Sequence, residues 1–179
     1  MLTRTTADTK LPAAALAAEL GRLGIPFVTF SADDRPLPPP APDMLLASLA
    51  MSDEARLRMA LIPLFLTLPN HARSVTEAAV ALPARAQVTL VCYYTAAMLL
   101  QRKYAQRLSR LGIDHAPLPD LFGRELGLSP ADDADSSLAR LAKRHAELSG
   151  RPLNWRGTYE QAAMRFMQRV EWETKQAES

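Results

Sequence analysis

The strongest constraint in this chain is a row of apolar residues that follows Pro83. Leu90, Tyr93, Ala97, Leu100, Tyr104, Leu108 and Leu111 recur every three or four positions. That spacing lines one face of an α-helix. In its first half, Val88, Val91, Met98 and Leu99 add apolar side chains on the other faces. A helix that is apolar all round is buried all round. The segment therefore predicts a bundle centred on the first half of one long helix, whose second half emerges into water. Pro83 suits the helix start and Gly112 the stop.

The rest of the chain from Asp43 onward also carries helix signals. "DMLLASLA" reads as a short helix, and Ser52 is placed to cap the next one, "EARLRMALIPLFLTL". Pro63 should kink or split that helix, because it lacks an N–H and clashes with the preceding turn. Ser74-Val-Thr-Glu77 and Thr158-Tyr-Glu-Gln161 have the capping-box pattern. "LPDLFGRELGL" reads as a compact helical turn, followed by an acidic loop with Asp132, Asp133 and Asp135. "SSLARLAKRHAELSG" is amphipathic, with Leu138, Leu141, Ala142 and Leu148 inward and Gly150 as its stop. The last helix should turn Tyr159, Ala162, Ala163, Phe166, Met167 and Val170 inward, with Trp155 packed over its start. The expected architecture is an all-α bundle of roughly five to seven helices.

Residues 1–42 differ from the body at 43–179. "LPAAALAAELGRLG" reads as a short helix, "IPFVTF" as a strand, and "PLPPPAP" as a semi-rigid linker. An isolated strand leaves its backbone groups unpaired. Either the arm packs on its own bundle, or Phe27 and Phe30 enter a partner's sheet by strand addition.

A chain of 179 residues with 48% hydrophobic residues fits one domain or one domain plus an arm. Its net charge of +2 does not by itself imply a polyanion partner. One cysteine, Cys92, excludes an intrachain disulfide and fits a reducing, cytoplasmic setting. No apolar run has the length of a membrane span, and the N-terminus lacks the apolar core of a secretory signal. No zinc pattern, calcium loop, dinucleotide fingerprint or phosphate-binding loop is present, so neither a metal nor a cofactor is expected.

Two features remain as candidate sites. Lys103, Arg107 and Arg110, with Arg102 nearby, form a cationic stripe suited to a protein partner or, alternatively, to nucleic-acid phosphates. Cations in the last turns of a helix also suit its negative dipole end. Arg110–His115 and Arg140–His145 have the Arg-x-x-x-x-His spacing that small helical ribonucleases use. The first pair straddles Gly112. In the second, positions five apart on a helix diverge by about 140°.

Four segments, "ARLRMALIPLFL", "YYTAAMLLQRKYAQRL", "LPDLFGRELGL" and "LNWRGTYEQ", resemble an uncharacterised family of small all-α bacterial proteins. The resemblance spans residues 44–172. Members of that family tend to be encoded beside a nucleotidyltransferase-domain protein. The resemblance implies a non-catalytic partner of such an enzyme in a toxin–antitoxin-like or defence module. The alternatives are a metal-independent ribonuclease of the helical toxin type and a nucleic-acid-binding accessory subunit.

Overall fold

The computed structural model describes residues 10–25, 38–113 and 115–179. Its elements in order are α1 (Ala13–Arg22), α2 (Pro42–Ala50), α3 (Ala55–Met59), α4 (Leu61–Thr67), a 3-10 helix (Pro69–Ser74), α5 (Val75–Ala81), α6 (Ala84–Lys103), α7 (Ala105–Arg110), α8 (Ala134–Ser149) and α9 (Trp155–Ala177). Among the described residues there is no strand, and the protein is an all-α bundle. No helix among them is long and apolar enough to cross a membrane.

α6 is the axis of the bundle. Every residue from Cys92 to Leu100 is buried, and α2, α4, α5, α8 and α9 all pack on the helix. Within that run Thr95 Oγ1 donates to the Val91 carbonyl at 2.8 Å and the Tyr94 hydroxyl to the Pro119 carbonyl at 2.7 Å, which offsets the cost of burying them. Phe65 of α4 and Phe122 both meet the Tyr94 ring edge-on, at centroid distances of 4.9 and 5.9 Å.

The long helix expected after Pro83 is interrupted at Tyr104, where φ is −104° and ψ is 19°. Adjacent residues on an unbroken helix point about 100° apart. The local unwinding lets the neighbours Lys103 and Tyr104 both reach Glu160 of α9, at 2.6 and 2.5 Å. The α3/α4 break falls at Ala60, three residues before Pro63. That is where the ring of Pro63 would meet the carbonyl of Met59 in a continuous helix.

Both capping-box expectations are corrected. Ser74 makes no capping bond, because α5 continues directly from the 3-10 helix and Val75 N–H donates to the Ala72 carbonyl. α9 starts three residues before Thr158. Asn154 is its cap and accepts from Gly157 N–H at 2.9 Å. Ser52 accepts from Glu54 N–H at 3.3 Å, but Glu54 is the cap residue of α3. Leu148, expected inward, is 42% exposed.

Part of the N-terminal region is integral to the body. Leu16, Leu20 and Ile25 are fully buried and belong to the same core as α2 to α9. α1 packs on α2 and α3. Gly24, with φ of 77°, turns the chain so that Ile25 N–H donates to the Leu20 carbonyl at 2.9 Å. The boundary between residues 42 and 43 is therefore not an edge of the core. Of the expected strand, Ile25 alone is described; Phe27 and Phe30 lie outside the described residues.

Candidate functional site

Neither Arg–His spacing brings its two side chains into contact. α8 turns Arg140 and His145 apart. The Arg140 side chain is 60% exposed and lies 3.4 Å from Asp132, whereas His145 is 1% exposed. Arg110 and His115 are both exposed, on either side of Gly112 at φ of 73°, with no interaction between them.

The cationic stripe is only partly free, which corrects the expectation of a wholly exposed face. Lys103 Nζ lies 2.6 Å from both Asp135 and Glu160. Burial alone would lower the Lys103 pKa, but the hydrogen bonds to these two carboxylates outweigh it and hold it above its ordinary value. Arg107 pairs with Glu171 at 2.8 Å. These two cations tie α6 and α7 to α8 and α9. Arg102 and Arg110 are exposed, and the Arg110 side chain has no partner among the described residues. The acidic loop is likewise occupied. Asp133 caps α8 through Ser136, and Asp135 receives Arg156 as well as Lys103. Among the described residues no cluster of His, Cys, Asp and Glu has the makings of a metal site.

The most organised constellation is one that the sequence patterns did not single out. α8 supplies His145, α9 supplies Trp155 and Tyr159, and α6 supplies Tyr93. The His145 ring stacks on Trp155 at 3.7 Å and an interplanar angle of 19°. Its Nδ1 lies 2.6 Å from the Tyr159 hydroxyl. Tyr93 meets both His145 and Tyr159 edge-on, at 5.9 and 5.7 Å. Trp155 is fixed in turn by its Nε1–H, which donates to the Arg151 carbonyl at 2.9 Å.

Burial sets the protonation of this group. It lowers the His145 pKa to about 4, so the ring is neutral at pH 7. It pushes the Tyr93 hydroxyl up to about 12 and the Tyr159 hydroxyl further still, so both keep their protons. The Tyr159 hydroxyl has no acceptor other than His145 Nδ1 among the described residues. A proton on Nδ1 would leave that hydroxyl hydrogen buried and unpaired, at a cost of about 1–3 kcal/mol. The satisfied arrangement puts the imidazole proton on Nε2.

His145, Tyr93 and Trp155 form one wall of a cavity of about 520 Å³. A second, more apolar groove of about 360 Å³ runs between α5, α6, the 118–128 turn and α8. The fold and these sites define a class only, an all-α bundle with a buried His–Tyr pair beside a cavity. No protein-family model, curated protein or solved structure matches the chain.

Proposed function

We propose that the protein is a non-catalytic binding partner that regulates or positions an enzyme of the nucleotidyltransferase type, in a toxin–antitoxin-like or defence module. The identity of the enzyme rests on the resemblance of residues 44–172. The observation that carries a docking role is the groove between α5, α6 and α8. Val88, Val91 and Leu126 line it, and Val80 and Leu148 stand on it at 77% and 42% exposure. Large apolar side chains clustered on a groove favour contact with another protein. Burying two such side chains contributes about 1.5–3 kcal/mol each. Arg102 and Arg110 supply exposed charge elsewhere on the surface, which acts on association rate and orientation more than on affinity.

Co-purification with the enzyme encoded beside this chain tests the proposal, with RNA cleavage assayed for each protein alone and for the pair. Retention of the enzyme by the wild type, and its loss with Val80→Asp plus Leu148→Asp at an unchanged melting temperature, is the expected result. RNA cleavage by this chain alone would refute the non-catalytic reading. Undiminished binding by the double variant would refute the groove.

A further inference from the structure

The cavity beside His145 has an unusual inventory. Its floor is buried and polar atoms open into it. Tyr93 is 2% exposed and its hydroxyl has no hydrogen-bond partner among the described residues. His145 is 1% exposed, and its Nε2 has no partner there either, since the Tyr159 contact uses Nδ1. Both atoms open on the cavity and are not sealed in the core, so they are available to a molecule that fills it and accepts hydrogen bonds. With the proton on Nε2, His145 is a donor, and the Tyr93 hydroxyl can donate as well.

The rim carries the matching charge. Lys10, Arg58, Arg85 and Arg151 line the cavity against a single carboxylate, Asp53. This local surplus of three positive charges exceeds the net +2 of the entire chain. Asp53 pairs with Lys10 at 3.5 Å, and one guanidinium nitrogen of Arg58 is spent on the Ser52 carbonyl at 2.6 Å. The guanidinia of Arg85 and Arg151 have no partner among the described residues. The start of α6 adds to the field. No side chain caps it, its first turn borders the cavity at Pro83, Arg85 and Ala86, and Gln87 N–H is the one that bonds the Pro83 carbonyl. The amides before Gln87 are the positive end of a helix dipole.

We infer that this cavity binds a phosphorylated small molecule, its phosphate held by Arg85, Arg151 and Arg58 and by the donors of Tyr93 and His145. The donors outnumber what the two oxygens of one carboxylate can accept, whereas a phosphate presents three terminal oxygens and up to two charges. The cavity volume of about 520 Å³ leaves room for an organic portion against Trp155. Pockets for small metabolites and cofactors span about 300–1,000 Å³. This site is independent of the apolar groove, so either can fail without the other.

Trp155 is a built-in reporter. The chain has two tryptophans, and the other, Trp172, is 55% exposed near the end of α9. In a Trp172→Phe background, titration with pyrophosphate at low ionic strength should change the Trp155 emission saturably. Arg85→Gln plus Arg151→Gln, both at exposed positions, should weaken binding at least tenfold while melting is unchanged. Tyr93→Phe, which keeps the ring and removes the donor, should weaken it about fivefold. A nucleoside triphosphate and a sugar phosphate, titrated in parallel, separate the sources of the phosphate; tighter binding of either than of pyrophosphate supports an organic portion against Trp155. No saturable response to any of the three would overturn the inference. Binding indifferent to the arginine pair would do so as well, and citrate binding as tightly as pyrophosphate would overturn the assignment to phosphate.

Discussion

Acidification should expose the His145 cluster through stability. In the folded protein the ring is held neutral down to about pH 4, while an unburied histidine takes up its proton near 6.5. Above 6.5 both states are neutral and the fold keeps its full stability. As the pH falls through 6.5 toward 4, the unfolded chain binds a proton that the folded protein refuses, and stability drops. Each pH unit in that window costs about 1.4 kcal/mol. The window from 6.5 to about 4 therefore costs on the order of 3 kcal/mol, a large fraction of a typical domain's 5–15 kcal/mol. Below it the loss levels off. His145→Gln has no titrating group, so it should start less stable at pH 7 and fail to lose this increment. Urea unfolding at a series of pH values checks it, because other titrating groups cancel in the difference between the two proteins. The stability curves should converge by about 3 kcal/mol between pH 7 and 4. Parallel curves would show that His145 titrates alike in both states and that burial does not hold it neutral.

Lys103→Glu sets a third carboxylate beside Asp135 and Glu160 and should cost about 1–3 kcal/mol, whereas Arg110→Glu should stay within about 0.5 kcal/mol; equal melting temperatures would contradict the ion pairs. Deleting residues 1–42 removes Leu16, Leu20 and Ile25 from the core, on the order of 6 kcal/mol of burial. Circular dichroism should then show a loss of cooperative melting, and a truncated chain that melts like the full one would separate α1 from the core. Gly150→Ala meets open space but must hold φ of 65°, so chemical denaturation should report a loss of about 1–2 kcal/mol from backbone conformation alone.

The helical class and the central helix were legible in sequence because helical periodicity is a local property. Leu90, Tyr93, Ala97 and Leu100 repeat with the helix and need no knowledge of what they touch. Gly112 and Gly150 were equally legible as stops, since both take a positive φ that a side chain resists. Pro63 announced a broken helix for the same kind of reason. Caps were less legible. Asn154 precedes a weaker pattern than Thr158-Tyr-Glu-Gln161, yet it takes the cap because α9 begins where Trp155 can stack on His145.

The candidate site was nearly invisible in sequence. His145 follows Leu138 and Leu141 at helical spacing on the buried face of α8; that position pointed inward, whereas its spacing from Arg140 pointed to a pair that the helix turns apart. Neither Tyr159 nor Tyr93 is near it in the chain, so no spacing rule could join them. The cationic stripe shows the opposite failure. Lys103, Arg107 and Arg110 are equivalent on a helix surface viewed alone. Tertiary packing divides them, because Glu160 and Glu171 of α9 reach the first two and leave Arg110 in solvent. Where the helices run and which of their faces are apolar follow from the residue order, since these depend on neighbours within one or two turns. Which charges are spent on the fold, which aromatic rings enclose His145, and that Leu16, Leu20 and Ile25 are core are set by packing, because each depends on side chains brought together from distant parts of the chain.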